Sequence, residues 1–348
     1  MNRQEITAWL RETDAQRLEE LWARADDARR RHVGDAVHLR GLIEISNICC
    51  RRCHYCGLRA DNAALGRYRM TADEIWECVQ LAVQFGYGTV VMQAGEDPGI
   101  ERDEMADLIR RIKRQTPLAV TLSLGERSDD DFLAWKQAGA NRYLLRFETS
   151  NRILYDRIHP PRPGVVSDRF AILARLRQLG YEIGSGVMAG IPGQTYEDLA
   201  NDVEKFAELR LDMIGIGPFI PHAATPLGRD RDALLAAPGL QAPNDELMTY
   251  KMVALTRLAC PDANIPSTTA LATLNKAQGR ELGLARGANI VMPNLTPPKY
   301  RVMYEIYPNK ACIFESAGDC SGCIKGRITA MGRTVGAGPG TSPGFGKK

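Results

Sequence analysis

From residue 40 to residue 292, short apolar or β-branched segments alternate with amphipathic helical patterns, and this alternation restricts the folds open to the chain. Strands separated by helices run parallel, because right-handed crossovers return each strand in the same direction. The segments are apolar on both faces, as is typical of strands covered on each side. Their number favours a closed (β/α)8 TIM-type barrel of the α/β class over an open sheet. The predicted strands are 42–46, 89–93, 119–124, 142–146, 183–188, 213–217, 263–267 and 289–292.

The segments that flank the predicted barrel have different patterns. Residues 3–32 show two helical patterns, and we assign residues 1–35 to an N-terminal helical flank. The barrel is assigned to residues 36–300, and residues 301–331 are assigned to a C-terminal extension that carries three cysteines. Residues 332–348 are rich in glycine and proline, so we predict that they form a flexible tail.

Composition and charge exclude several classes of function. The net charge of +3 is too small to indicate binding to nucleic acid. No apolar run approaches the ~20 residues of a membrane span, and the polar N-terminus lacks the apolar core of a signal peptide. We therefore expect a cytoplasmic protein. We also expect a monomer, because no additional apolar helix or heptad repeat is present.

The cysteines are the residues that point most directly to chemistry. There are nine, and in the cytosol clustered cysteines bind metal or react rather than form disulfides. Six form two groups: a first triplet of Cys49, Cys53 and Cys56, and a second triplet of Cys312, Cys320 and Cys323.

The first triplet has the spacing C-x3-C-x2-C. Three thiolates at this spacing suit an iron–sulfur cubane, [4Fe–4S], with one iron left without a protein ligand. A structural zinc site needs four protein ligands, so zinc is the less favoured interpretation. Cys78 and Cys260 lie in helical or helix-end patterns and are predicted to belong to the core. Cys50, inside the motif, has no purpose that the spacing explains.

Polar residues gather just after the predicted strands. The strands of a parallel barrel end at one rim, where active sites are built. One polar segment alone would be a turn or a helix cap, but a polar segment after each of the eight predicted strands indicates a site. After the first triplet the segments are 93–97, 123–126, 146–149, 190–195, 218–222, 268–269 and 293–294.

These motifs carry a resemblance to a known family. The C-x3-C-x2-C motif at the end of a first barrel strand, with Tyr55 before the last cysteine, resembles the radical S-adenosylmethionine (SAM) superfamily. Further segments closely resemble the HydE group of [FeFe]-hydrogenase maturases, over about residues 31 to 324. The segments that carry this closer likeness are 68–71, 93–97, 121–126, 142–146 and 215–222, with Tyr300 and Tyr304.

The resemblance implies a particular chemistry. In the superfamily, the amine and carboxylate of SAM chelate the open iron, and an electron from the cluster cleaves the C5′–S bond to give a 5′-deoxyadenosyl radical. Membership of the HydE group would imply an iron–cysteine precursor carrying carbon monoxide and cyanide, used in assembly of the H-cluster. A small organometallic or amino-acid-derived substrate, a ferredoxin or flavodoxin as electron donor, and the companion hydrogenase maturases are the expected partners.

The resemblance also assigns roles to individual residues, with Glu148 on the ribose hydroxyls of SAM and Arg169 on its carboxylate. All the residues implied to bind SAM are Tyr55, Gly95, Glu96, Glu148, Arg169 and Pro192. Those implied to line the cavity and act on the substrate are Gln93, Arg146, Thr268, Thr269, Tyr300 and Tyr304. The second triplet matches the accessory [2Fe–2S] or [4Fe–4S] cluster of many HydE proteins and is expected to have no catalytic role, with free thiols or a zinc site as the alternatives.

Two alternatives remain open at this point. A radical SAM enzyme with a different substrate, similar to biotin synthase or methylornithine synthase, would share the first triplet. Two departures favour such divergence: Phe147 stands where HydE proteins commonly have histidine, and Cys50 lies beside the first ligand. The other alternative is a zinc-binding scaffold or redox carrier that has no substrate.

Overall fold

The chain folds around a parallel sheet, and the structure, a computed structural model, describes residues 1–162 and 164–347. The strands are β1 (Ala36–Ser46), β2 (Thr89–Ala94), β3 (Ala119–Ser123), β4 (Arg142–Leu144), β5 (Glu182–Ala189), β6 (Met213–Pro218), β7 (Ile290–Val291) and β8 (Thr334–Gly336). The first seven α-helices are α1 (Arg3–Arg11), α2 (Ala15–Val33), α3 (Ala72–Gln84), α4 (Arg102–Gln115), α5 (Asp129–Ala138), α6 (Arg152–Ile158) and α7 (Arg169–Gln178). The remaining ones are α8 (Tyr196–Glu208), α9 (Pro226–Arg229), α10 (Glu246–Ala259), α11 (Thr269–Leu274), α12 (Gly279–Ala285), α13 (Pro298–Arg301) and α14 (Ala317–Ala330).

The strands form a ring. Hydrogen-bonded neighbours follow the order β6-β5-β4-β3-β2-β1-β7, and every pair is parallel. Single parallel bridges then connect Met213 in β6 to Asn264, and Pro266 to Ile290 in β7. The predicted (β/α)8 TIM-type barrel is therefore confirmed. The seventh predicted strand, 263–267, is reduced to these two bridges because Pro266 has no N–H to donate to a ladder.

Local sequence signals explain where the helices begin. Thr71 and Glu74 form a capping box before α3, and Thr195 and Asp198 form another before α8. The N-terminal helices α1 and α2 are present as predicted and pack against α8 and α10. Within the described ranges no helix combines the length and apolar character that a membrane span needs.

The core fills the space between the barrel and its helices. Cys78 and Cys260 are buried there, as predicted. Phe147 is also buried, with its ring centroid 5.1 Å from that of Phe170 and 5.6 Å from that of Phe206. Its side chain therefore belongs to the core and does not line the central cavity, whereas its neighbours Arg146 and Glu148 do.

The C-terminal tail differs from the flexible segment that composition predicts. The strand β8 pairs with Ala36–His38 of β1, and the residues after it cross the amino-terminal end of the barrel. Arg142 Nη2 donates to Pro339 O (2.9 Å), and Arg40 Nη2 donates to Gly340 O (3.0 Å). The tail is held because its backbone carbonyls satisfy these buried guanidinium groups, an interaction that apolar content does not report. The other domain boundaries stay predictions.

Candidate active site

The first triplet lies in the loop that follows β1, and its three cysteines line the central cavity of the barrel. Backbone hydrogen bonds attach this loop to later elements: Cys50 N donates to Glu96 O (2.9 Å) and Gly57 N donates to Ile306 O (2.9 Å). Arg67 binds the loop from behind, donating to the carbonyls of Asn47 (2.7 Å) and of three further residues. Sequence reasoning missed Arg67, because nothing in its spacing distinguishes it from a surface arginine.

Gly95 allows the end of β2 to approach this loop closely. A Cβ at this position would lie 2.3 Å from Ile48 O and 2.8 Å from Cys49 Cβ, so only glycine fits. Gly95 does not itself line the cavity, and Pro192 also lies outside the lining. Pro192 is buried in the turn after β5, where Gln194 Oε1 accepts from Gly190 N (2.8 Å). The contacts of these two residues with SAM stay predictions.

The chemistry of the first triplet fits a cluster better than a single ion. Burial raises the pKa of all three thiols, and that of Cys56 to about 12, so free thiols would stay protonated unless a metal displaced the protons. Sulfurs that share one zinc lie about 3.8 Å apart, given Zn–S bonds of about 2.3 Å in a tetrahedron. Among the described residues, no three cysteine sulfurs lie within 4.8 Å of one another. The three thiols are therefore not gathered as ligands of one zinc ion would be, and three thiolates around one cavity suit a cubane with one open iron.

Most of the predicted SAM and substrate residues meet in this cavity, which has a volume of about 300 Å³. The predicted residues that line it, besides the first triplet, are Tyr55, Gln93, Glu96, Arg146, Glu148, Arg169, Thr268, Thr269 and Tyr304. Gln93 lies at the carboxyl end of β2, and the others lie in the segments that follow β1, β2, β4, residues 263–267 and β7. The rim arrangement expected of a parallel barrel is the reason for their convergence.

Tyr300 is the exception, and its prediction as a cavity residue is wrong. Its ring stacks on Tyr68 with centroids 4.5 Å apart, and its hydroxyl donates to Glu74 Oε1 (2.7 Å) at the outer face of α3. Tyr307 lines the cavity instead and was missed, together with Lys310. Tyr300 lies in the helical turn α13, and no local pattern distinguishes among the closely spaced tyrosines of this segment.

Four charged side chains, Arg51, Glu96, Glu126 and Arg169, form a closed charge ring beside the first triplet. Arg51 Nε donates to Glu96 Oε2 (2.5 Å), and Arg169 Nε donates to Glu126 Oε1 (2.9 Å). Arg51 Nη2 lies 2.6 Å from Glu126 Oε2, an ion pair without hydrogen-bond alignment, and Arg169 Nη2 lies 3.4 Å from Glu96 Oε1. Each side chain is at most 9% exposed, so the two positive and two negative charges balance away from water.

The surroundings of Glu126 and His159 shift the pKa of both groups. Burial alone would raise the pKa of Glu126, but Arg169 and a hydrogen bond from Ser167 hold it below its ordinary value. Burial and the nearby Arg169 and Arg51 lower the pKa of His159 to about 2, so its Nε2 accepts from Arg169 Nη2 (2.6 Å). Glu96, Glu126 and His159 are close enough to hold an ion, but two guanidinium groups already bind them, so we assign no metal here.

Glu148 has the properties of a site residue. Its backbone is left-handed, with φ of 62°, a conformation that costs a non-glycine residue of order 1 kcal/mol and clusters at functional sites. Arg146 Nη2 lies 3.0 Å from Glu148 Oε2, yet among the described residues this buried oxygen accepts no aligned hydrogen bond. An unsatisfied carboxylate oxygen at a cavity wall is an acceptor for ligand hydroxyls, which fits the ribose of SAM.

The deeper part of the cavity is polar. Gln93 Nε2 donates to Tyr304 Oη (3.2 Å), and Lys310 Nζ pairs with Glu44 Oε1 (2.8 Å). Arg280 is buried with its Nε unpartnered among the described residues. Thr268 and Thr269 face the same space from the start of α11.

The second triplet adjoins this deep end. Cys312 lines the cavity, and a hydrogen bond with Cys320 lowers the pKa of Cys312 below its ordinary value. Arg280 Nη2 approaches Cys312 Sγ at 3.6 Å, while Cys323 is exposed on α14. The donor set of three cysteines and a nearby cation suits a cluster, but a second cluster stays a prediction.

Comparisons with known proteins agree with this geometry. Residues 43–216, half of the chain, match the model of the Radical SAM superfamily. The chain is 48% identical over 318 residues to the [FeFe] hydrogenase maturase subunit HydE of Thermotoga maritima, covering 91% of this chain and 87% of that protein.

More distant relatives share the architecture. The chain is 26% identical to the 3-methylornithine synthase of Methanosarcina acetivorans over 82% of this chain and 77% of that protein. A crystal structure of methylornithine synthase superposes with a TM-score of 0.81 at 24% identity, covering 96% of this chain and 94% of that one, and so supports the fold alone. The cluster motif, the barrel and the extent of the match to the Thermotoga maritima protein together show that the chain is a radical SAM enzyme and belongs to the HydE family of [FeFe]-hydrogenase maturases.

Proposed function

We propose that this enzyme reductively cleaves SAM and uses the resulting 5′-deoxyadenosyl radical on an iron–cysteine precursor that carries carbon monoxide and cyanide, in assembly of the [FeFe]-hydrogenase H-cluster. The observation that carries the proposal is that one cavity is lined by the first triplet, by Glu96 and Arg169 of the charge ring, and by the deep polar end. A cofactor held by the first triplet and the charge ring would then share one cavity with the substrate.

The cofactor end of the cavity is assigned to SAM. When bound, the [4Fe–4S] cluster and SAM supply the electron and the carbon radical. The protein's part is to bind and orient: Glu96 and Arg169 offer opposite charges to an α-amino acid, and Glu148 Oε2 offers an acceptor to ribose hydroxyls. Tyr55, beside the third cysteine, packs against Leu154, Met188 and Phe219, an apolar cluster that keeps water from the reacting atoms.

The substrate end is assigned to an anionic molecule. Arg146, whose buried Nε has no partner among the described residues, and Arg280 present positive charge to the cavity, and Lys310 lies near them. Gln93, Thr268, Thr269 and Tyr304 add hydrogen-bonding groups. Such a lining suits a small substrate with carboxylate and cyanide groups.

The remaining partners are also proposals. A ferredoxin or flavodoxin would supply the electron, and the companion maturases would supply the precursor or take the product. The second triplet would hold an accessory cluster, of [2Fe–2S] or [4Fe–4S] type. Because Cys323 of that triplet is exposed, this cluster would be accessible to a protein partner.

The first experiment tests the cluster and SAM cleavage. Wild type and the variant with alanine at all three cysteines of the first triplet are reconstituted anaerobically with iron and sulfide, and 5′-deoxyadenosine is measured after reduction with dithionite. We expect product from the wild type alone. The matched control is Cys50→Ala, which changes a thiol in the same loop that does not line the cavity and is expected to retain activity. Production of 5′-deoxyadenosine by the triple variant would contradict the proposal.

The second experiment tests the substrate. The enzyme is combined with the companion maturases and an apo-hydrogenase, and hydrogen evolution is measured. If SAM cleavage is intact but no hydrogenase is activated, the HydE substrate is wrong and a different radical SAM substrate becomes the better proposal. Arg146→Met should lower activation while SAM cleavage without substrate persists, because Arg146 is assigned to the substrate.

A further inference from the structure

The charge ring has two faces. Glu96 and Arg169 line the central cavity, whereas Arg51 and Glu126 line a separate outer pocket of about 450 Å³ that Glu96 also reaches. Of the ring's four ion-pair distances, three are 2.5, 2.6 and 2.9 Å, and the longest, 3.4 Å, joins Arg169 to Glu96. The weakest edge of the ring is therefore the one that faces the cavity.

We propose that Arg51 and Glu126 are positioning residues for the α-amino-acid end of SAM. They hold Glu96 and Arg169 from behind, so that the ligand's ammonium group and carboxylate enter between those two residues. This inference rests on the proposed function, since it assigns a role around the same SAM site. It adds two residues that do not touch the ligand.

Charge balance favours this arrangement. The ring is neutral, and the ammonium and carboxylate of an α-amino acid are also neutral as a pair. When the ligand enters, the long ion pair between Arg169 and Glu96 is replaced by two ion pairs with the ligand, one to its carboxylate and one to its ammonium group. The outer pair of Arg51 and Glu126 stays in contact. Because all four side chains are at most 9% exposed, each charge interacts strongly with its neighbours and a missing charge is not replaced by water.

Glu126 is the residue best placed to fix Arg169. Its Oε1 accepts from Arg169 Nε (2.9 Å) and from Ser167 Oγ (2.6 Å), and Ser167 Oγ contacts Tyr155 Oη (3.0 Å). His159 Nε2 accepts from Nη2 of the same guanidinium group (2.6 Å). These contacts define one orientation of Arg169, with Nη2 toward Glu96 and the cavity.

The test compares ligands with and without the amino-acid end. Glu126→Gln keeps the shape and removes the charge, and Glu126→Asp keeps the charge on a shorter side chain. The matched control is Asp131→Asn, which breaks an ion pair with Arg127 (3.0 Å) in the same outer pocket but outside the ring. Equilibrium binding to the cluster-loaded enzyme is measured anaerobically for SAM, S-adenosylhomocysteine and 5′-methylthioadenosine, which lacks the amino-acid group.

We expect Glu126→Gln to weaken binding of SAM and S-adenosylhomocysteine about 10- to 100-fold, the usual effect of losing a buried hydrogen bond to a charged group. Binding of 5′-methylthioadenosine and the iron content should not change. The KM for SAM in uncoupled cleavage should rise with little change in kcat, Glu126→Asp should recover part of the loss, and Asp131→Asn should match the wild type.

Three results would overturn the positioning role. SAM affinity could be unchanged in Glu126→Gln, affinity for all three ligands could fall equally, or Asp131→Asn could have the same effect as Glu126→Gln. In each of these three cases, the proposed function would still stand if the wild-type enzyme binds and cleaves SAM. Failure of the wild type to bind SAM would instead refute the proposed function and the positioning role together.

Discussion

Glu182 balances two buried arginines at the amino-terminal end of the barrel, and its replacement tests how the tail is held. Glu182 Oε2 accepts from Arg142 Nε (2.5 Å), and its Oε1 accepts from the backbone N of Ser342 (2.8 Å). Burial and the charge of Arg142 lower the pKa of Arg40 to about 9, and Glu182 opposes that shift. Glu182→Gln removes this compensation and also replaces one of two acceptor oxygens with a donor.

The expected loss of stability follows from the burial of the pair. Arg142 and Glu182 side chains are 1% and 2% exposed, so solvent cannot replace the lost carboxylate. Removing one partner of such a pair costs about 3–5 kcal/mol, because the other charge stays buried without compensation. We therefore expect the free energy of unfolding of Glu182→Gln to fall by that amount, and the tail after residue 336 to become more sensitive to protease.

The assay is urea unfolding followed by circular dichroism, with limited proteolysis of the tail. The control is Glu204→Gln, which removes a carboxylate 2.6 Å from Arg3 where the two side chains are 26% and 54% exposed. Exposed pairs contribute about 0–1 kcal/mol, so this control should be close to the wild type. If Glu182→Gln were no less stable than Glu204→Gln, the assignment of the tail to a buried charge cluster would be wrong.

Three further predictions test other parts of the structure. Burial raises the pKa of Asp202 to about 8, so the folded state keeps a proton that the unfolded state releases near pH 4. The free energy of unfolding should therefore fall as the pH rises from 5 to 8, by up to about 1.4 kcal/mol per pH unit. Asp202→Asn should remove this pH dependence in thermal melts. Alanine at all of the second triplet should lower the iron content by about two to four atoms per chain and leave 5′-deoxyadenosine formation intact, as measured by iron assay and product analysis. Tyr304→Phe should impair activation of the hydrogenase, whereas Tyr300→Phe should cost only about 1 kcal/mol of stability through its contact with Glu74.

The fold was accessible from the sequence because its signals are local and repeated. Alternating strands and helices predict parallel crossovers, and eight repeats predict closure. The first triplet was equally accessible, since its three ligands lie within eight residues of one another. The tail was not, because its order depends on Arg40 and Arg142, which lie about 200 to 300 residues earlier in the chain.

The charge ring could be predicted only in part. The resemblance assigned Glu96 and Arg169, which face the cavity, but not Arg51 and Glu126, which face away from it. The four residues follow β1, β2 and β3 or begin α7, and their contacts depend on the curvature that brings these ends together. The error over Tyr300 has the same origin: the register of the segment after β7 is set by α13 and by stacking on Tyr68, not by local pattern.

The two departures from the HydE pattern lose their force as evidence for a different substrate once their positions are considered. Phe147 packs between α7 and α8 through Phe170 and Phe206, so its identity affects the core behind the cavity wall. Cys50 lines the outer pocket rather than the central cavity. Neither side chain is therefore placed to select a substrate directly, and a difference in specificity would have to come from residues that line the deep end, such as Tyr307 and Arg280.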